Sequence, residues 1–423
     1  MRTYQVDERP PIMALIPLSL QHLFAMFGST VLVPILFGVN PATILLMNGI
    51  GTLIYIFLCK GQIPAYLGSS FAFLSPVFAV LATSSYNAAL GGFIVVGLIF
   101  ILVALLIRVA GTKWIDVVFP PAAMGAIVAV IGLELVPTAA EMAGLIAPLS
   151  NPPENWSPDK EVILVSLLTL GITIIGNVMF RGFLKIIPIL IGIIAGYLIA
   201  LFFGMVDLQP VRDAKWFALP DFYRPEFDWA SIAIIAPAAL VVIAEHIGHL
   251  VVTQNIVQRD LMKNPGLGNS LLGNGISTVL SGFVGSTPNT TYGENIGVLA
   301  LSKVYSTWVI GGAAVLAIFL SFFGKLAALI LTIPTPVMGG VSLLLFGVIA
   351  VSGLRMLVES KVDYSKTTNM ILTTIVLVVG LSGATFTLGN FSLKGMALAT
   401  VVSILLSLFF KLIDVLKLSN DYE

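Results

Sequence analysis

Charge is scarce in this chain: only 10% of its 423 residues are Asp, Glu, Lys or Arg, against about 25% in a soluble domain. Neither sign dominates. Lys plus Arg and Asp plus Glu both number 21, so no basic surplus points to nucleic acid and no run of like charge marks an interaction tail. Cys59 is the sole cysteine, which excludes a disulfide framework and a cysteine metal cluster. Glu245-His246-Ile247-Gly248-His249 lacks the ligand order of the zinc-protease motif, and no third ligand set accompanies it, so no metal is expected. No glycine pattern matches a P-loop, so ATP does not drive the chain directly. No serine or threonine has a base at recognisable spacing, so enzyme chemistry is unsupported. No cofactor is implied.

What is present is apolar sequence, 58% of the whole. A span needs roughly 20 such residues, fewer where it is broken. The chain then reads as an all-α polytopic membrane protein with fourteen segments, near 13–37, 42–59, 63–83, 88–108, 115–136, 160–180, 183–205, 229–257, 268–285, 289–302, 305–324, 335–352, 367–385 and 394–417. The first run, Ile12 to Phe37, is too long for a signal-peptide core and is expected to stay as a span. With the N-terminus inside, fifteen Lys and Arg residues fall in cytoplasmic loops and six in outer ones. This bias places both termini in the cytoplasm and requires an even number of spans. The outer loop 206–228 carries Trp216, Phe217, Phe222, Tyr223 and Phe227, a composition suited to the membrane interface.

Two motifs recur. Asn48-Gly49-Ile50-Gly51-Thr52 returns as Asn274-Gly275-Ile276-Ser277-Thr278, and Phe119-Pro120-Pro121-Ala122-Ala123-Met124-Gly125 as Ile333-Pro334-Thr335-Pro336-Val337-Met338-Gly339. Both pairs are seven spans apart. A repeat of odd span number must insert upside down relative to its copy, as in many secondary transporters. The same shift carries the third segment onto the tenth, and both are broken by polar residues, Pro and Gly. Matching interrupted segments are a strong sequence pointer to a transporter's binding site. In the third, Ser69 to Phe73 is expected to be extended and to lead into a half-helix capped at Ser75-Pro76. In the tenth, Thr290 to Gly293 is expected to be extended, with a half-helix from Asn295 onward. Their N-termini would aim backbone N–H groups at one small volume.

Ionisable residues at membrane depth are few, and each is a functional candidate. Glu245 and His249 are four apart, so they share a helix face and can interact directly. Glu294 lies in the tenth segment. A buried carboxyl and imidazole have proton affinities set by burial and by their neighbours, which suits taking up and releasing a proton. His22 and His246 read as buried structural groups, with His22 able to support the site from behind, and Glu134 reads as interfacial. A planar heterocycle would suit the site, its ring N–H groups on Glu245 and Glu294, its carbonyls on N–H groups near Phe71 and Gly293, with Phe71, Tyr292 and Phe346 against the ring. An amide, an amino acid or an inorganic anion is also compatible with this chemistry.

The stretches Ser19 to Gly28, Ile63 to Phe73, Ala244 to His249 and Thr287 to Asn295 resemble the nucleobase-ascorbate transporter (nucleobase:cation symporter-2) family nearly end to end, and within it the uracil-carrying bacterial branch. The family's signature, an acid or Gln followed by Asn-x-Gly and then Thr with a basic residue, stands here as Glu294-Asn295-Ile296-Gly297 running to Ser302-Lys303, with Ser302 replacing Thr. The resemblance implies two inverted seven-span repeats, short antiparallel strands in the third and tenth segments, and core and gate domains. The division would be 12–136 (core spans one to four and the first gate span), 160–205 (gate spans six and seven), 229–324 (core spans eight to eleven) and 335–418 (gate spans twelve to fourteen). It implies a homodimer in the inner cell membrane that imports uracil with H+ as the coupling ion by alternating access. Glu245, Glu294 and the backbone of Phe71 and Gly293 would hold uracil, and His249 would aid proton coupling. Glu294 stands where purine-carrying relatives often have Gln, and Phe346 where uracil-carrying ones have Tyr. A purine or xanthine symporter, and an anion channel or exchanger on a similar fold, are the alternatives.

Overall fold

The computed structural model describes residues 3–149, 152–388 and 391–418. The principal helices, in chain order, are α1 (Ile12–Ala25), α2 (Phe27–Phe37), α3 (Pro41–Leu58), α4 (Leu74–Leu81), α5 (Tyr86–Ala110), α6 (Pro121–Glu134), α7 (Lys160–Met179), α8 (Pro188–Phe202), α9 (Ala238–Val257), α10 (Leu267–Val284), α11 (Gly293–Ser302), α12 (Thr307–Ser321), α13 (Thr335–Glu359), α14 (Thr367–Leu381) and α15 (Gly395–Val415). Among the described residues four strands accompany them: β1 (Leu67–Ser69), β2 (Asn289–Thr291), β3 (Thr385–Leu388) and β4 (Phe391–Lys394). Each apolar segment expected from the sequence falls on one of these helices. Among the described residues seven helices are long and apolar enough to cross a bilayer, and the bent pair α1 and α2 makes an eighth.

Local chemistry sets the helix starts. Asn40 caps α3 by accepting from the Ala42 N–H at 2.9 Å, with Pro41 in the first turn, where its missing N–H is not called for. Ser85 caps α5 and Asp159 caps α7 in the same way. The helices are apolar on the outside, and they bury a largely apolar core that holds a smaller set of polar side chains. Along α5, Leu98, Leu102 and Val109 are 52%, 67% and 89% exposed while Phe93, Val96 and Phe100 are fully buried. His22, Asn48, Thr52, Asn274 and Thr278 are buried, an arrangement that suits a lipid surround.

Small residues let the helices close on one another. A Cβ on Gly97 of α5 or Gly275 of α10 would run into the other's backbone carbonyl, and one on Gly49 of α3 into the Ala314 carbonyl of α12. The two glycines of the Asn-Gly-Ile motif therefore make comparable approaches, one to the helix two segments after its copy, the other to the helix two segments after its own counterpart. The second motif pair starts two helices, α6 after Pro120 and α13 after Pro334. These two pack together through Gly132 against the Phe346 carbonyl and through Gly353 against Ala129.

β1 and β2 pair antiparallel in the register Leu67↔Thr291, Gly68↔Thr290, Ser69↔Asn289, joining the two interrupted segments at the protein's centre. Gly68 is required there: a Cβ would fall within the Tyr292 ring. The cap expected at Ser75 is instead Ser70, whose Oγ accepts from the Ala72 N–H at 3.3 Å and opens a single 3-10 turn, Phe71–Phe73, running into α4. Ser75 and Pro76 lie inside the first turn of α4 because the helical path begins at Phe71. β3 and β4 form a hairpin that hydropathy did not reveal; Thr385-Phe386-Thr387-Leu388 alternates too briefly to stand out beside long apolar runs.

The loops gather at opposite ends. At one, Tyr4 pairs with Val304, Arg259 bridges Asp7 at 2.7 Å, and Thr307 bonds the Gly61 carbonyl. At the other, Asn40 bonds Asp221 and Tyr223, and Lys325 bonds the Val211 carbonyl.

Candidate functional site

A cavity of about 290 Å³ opens beside the strand pair. Its inner wall is Ser69, Ser70 and Phe71 from one interrupted segment and Thr290 to Glu294 from the other, and Glu245 and His249 of α9 complete it. Pairing through β1 and β2 therefore brings residues more than two hundred positions apart onto one surface.

Both carboxyls are partly buried and each has a hydroxyl partner. Ser29 of α2 donates to Glu294 Oε1 at 2.6 Å, and Ser70 donates to Glu245 Oε2 at 3.4 Å. Ser29 was not singled out from sequence, although Gly28-Ser29-Thr30 is a polar interruption in the first apolar run. The direct contact expected between Glu245 and His249 is not formed. His249 turns to β2, its Nδ1 lying 3.1 Å from Thr291 Oγ1. Sharing a helix face made the pair possible, but strand β2 offers the imidazole a closer partner.

Phe71 and Gly293 each begin a helical turn, so their N–H groups have no intrahelical acceptor. Among the described residues no group takes them up, whereas the neighbouring Ser70 and Tyr292 N–H groups bond Pro288 and Tyr66 carbonyls at 3.2 and 3.0 Å. A Cβ on Gly293 would come within 3.3 Å of His249 Nε2. Phe71 and Tyr292 are almost fully buried at the cavity wall, 7% and 3% exposed. Phe346 does not reach the cavity: it is fully buried behind Phe71, ring centroids 5.8 Å apart and edge to face.

The remaining histidines hold the wall in place. His22 Nδ1 bonds Asn295 Oδ1 at 2.5 Å, fixing the first turn of α11. His246 bonds Ser270 Oγ at 2.8 Å and Asn274 at 3.0 Å, tying α9 to α10. Glu134, half-buried, caps a helix: it accepts the Met396 N–H of α15 at 2.8 Å. At the far end of the cavity Arg355 and Glu359 of α13 form an exposed ion pair of 2.6 Å, which the sequence did not suggest. Among the described residues no three His, Cys, Asp or Glu side chains converge where they could hold a metal ion.

Two carboxyl acceptors, two unclaimed N–H donors and an aromatic wall in one cavity can bind a small molecule by both its donors and its acceptors. An apolar exterior, a polar centre and two interrupted segments meeting at that centre define a multi-pass membrane permease rather than an enzyme. Residues 13–389 match the Permease family (Xan_ur_permease), and the chain belongs to it, the nucleobase-ascorbate transporter family that its motifs resemble. It is 71% identical over 420 residues to the uracil permease of Paenibacillus larvae subsp. larvae, covering 99% of both chains. It is 63% identical over 416 residues to that of Escherichia coli (strain K12), covering 98% of this chain and 96% of the other. The transmembrane domain of the cyanobacterium bicarbonate transporter BicA superposes with a TM-score of 0.62 at 18% identity, covering 97% of this chain and 99% of that one, a likeness of fold alone.

Proposed function

We propose that the protein imports uracil with a proton by alternating access. The observation that carries this reading is the pairing of two carboxyls with two free N–H groups across one cavity: Glu245 and Glu294 accept the ring N–H groups, and Phe71 and Gly293 donate to the ring carbonyls. Tyr292 and Phe71 bound the ring, and Phe346 contributes only by backing Phe71. The two bacterial relatives, both uracil permeases, agree with it. His249 acts in proton coupling, through Thr291 rather than through Glu245, with H+ as the coupling ion and no cofactor.

The same reading takes the chain as fourteen spans in two inverted repeats of seven, with α1 to α5 and α9 to α12 as the core and the rest as the gate. The equivalent packing of Gly49 and Gly275 and the joining of the third and tenth segments by β1 and β2 support it. Both termini lie in the cytoplasm of a cell whose inner membrane holds the protein as a homodimer. The cavity mouth carries Arg355, which the charge bias puts inside, so on this reading the cavity faces the cytoplasm. The test is uptake into proteoliposomes under an imposed pH gradient with a panel of nucleobases. Concentrative uracil uptake, poorly competed by xanthine, is expected. Equal competition by xanthine, or flux without accumulation, would overturn the assignment.

A further inference from the structure

The motif Asn-Gly-Ile-x-Thr, repeated in α3 and α10, contributes no residue to the cavity wall, yet both its threonines grip the strand pair. In the register of β1 and β2 the even-numbered residues exchange bonds across the pair, continued by the Tyr292 N–H to the Tyr66 carbonyl and the Ser70 N–H to the Pro288 carbonyl. The odd-numbered residues Leu67 and Asn289 therefore turn their backbone groups outward. On the outer edge of β1, Leu67 N–H donates to Thr52 Oγ1 at 2.9 Å, and the Thr52 hydroxyl lies 2.7 Å from the Asn48 carbonyl and 3.5 Å from the Leu67 carbonyl. On the outer edge of β2, Asn289 N–H donates to Thr278 Oγ1 at 3.1 Å, and that hydroxyl donates back to the Asn289 carbonyl at 3.2 Å. Both threonines are fully buried. In each copy the gripped residue stands four positions before the residue whose unclaimed N–H faces the cavity, Leu67 before Phe71 and Asn289 before Gly293.

We propose that Thr52 and Thr278 are matched positioning residues, each fixing the strand that delivers one N–H group to a substrate carbonyl. This rests on the uracil site described above. A three-residue strand has few bonds of its own, and at membrane depth an edge N–H without a partner cannot turn to water. A strand freed from its threonine shifts until that N–H finds another acceptor, and the donor four residues on shifts with it. Binding geometry tolerates displacements of only about 0.5 Å.

The test compares affinity for uracil, 2-thiouracil and 4-thiouracil, in which one or the other carbonyl oxygen becomes a poorly accepting sulfur, in purified protein. Thr52→Val and Thr278→Val keep the side-chain shape and lose the hydroxyl; Thr52→Ser and Thr278→Ser keep the hydroxyl. Each Val variant is expected to bind uracil about five- to tenfold more weakly, as for one hydrogen bond, and to lose much of its preference over one of the two thio analogues, a different one for each threonine, with Ser restoring both. Unchanged affinity and preference, or an equal loss for all three ligands in step with a lowered melting temperature, would overturn the proposal. Glu294→Ala in parallel separates the two readings: if it binds uracil normally, the site itself is misassigned, whereas a loss there beside normal Val variants refutes only the positioning role. Should a Val variant not fold, hydrogen exchange on the unaltered protein decides, since the Leu67 and Asn289 amides must be protected with and without uracil and rapid exchange at either excludes the clamp.

Discussion

Replacing Glu294 by Ala removes the acceptor that the proposed site holds out to a ring N–H. The carboxyl sits in the first turn of α11, steadied by the Ser29 hydroxyl at 2.6 Å. Two donors lose a partner in the variant, Ser29 and the substrate. Ser29 is without its acceptor whether or not substrate is bound, so its loss bears on the stability of the protein and largely cancels from the binding equilibrium. The ring N–H is different, since it is hydrated in solution and unpaired in the complex. That costs about 1–3 kcal/mol, or roughly 5- to 150-fold in affinity. Glu294→Gln keeps one acceptor oxygen and is expected to lose less. The assay is uracil titration by calorimetry in detergent, with the melting temperature of the ligand-free protein as a check on folding. A Glu294→Ala protein that melts normally and binds uracil within about twofold of the original, less than one net hydrogen bond, would refute the reasoning.

Two further outcomes follow from the same geometry. His249→Ala takes away the Thr291 partner but no group offered to the ring, so uracil affinity should fall by no more than the roughly 2- to 10-fold of one neutral hydrogen bond, while accumulation driven by a pH gradient is lost; equal loss of both contradicts a coupling role. Gly68→Ala drives a Cβ into the Tyr292 ring, an overpacking worth about 1–3 kcal/mol, so melting temperature and uracil affinity should drop together, and a variant normal in both would show that the ring does not pack there.

Much of the architecture was legible because lipid leaves few options: a span must be long and apolar, and an interruption at depth must be buried. That is why the segments around Ser70 and Thr290 could be singled out and paired. Glu245, Glu294, Phe71, Gly293, Tyr292 and His249 were named from residue type and place, and the structure brings all six to one cavity. Phe346 was misplaced because an aromatic near a site can line it or back another ring, and sequence does not distinguish the two. Partners were the harder part. Glu245 and His249 share a helix face, but each is held by a residue from another segment, Ser70 and Thr291. The capping role of Glu134 was hidden because its partner, the Met396 N–H, lies 262 residues away. Ser29 was hidden for the same reason, its partner Glu294 being 265 residues on.

The distance between partners also explains why the site takes this form. β1 cannot satisfy its inner edge until β2 arrives, and their central pair, Gly68 and Thr290, belongs to different halves of the chain. Before that meeting each interrupted segment exposes backbone donors that a bilayer cannot satisfy. Joining them relieves both at once, while at the cavity wall the N–H groups at the starts of the two half-helices, Phe71 and Gly293, stay unclaimed by any described residue. A pair of unbroken helices would have consumed every such donor internally. The interruption is therefore what creates binding capacity, and the strand pair is what makes the interruption tolerable, so neither half of the chain can hold a complete site by itself.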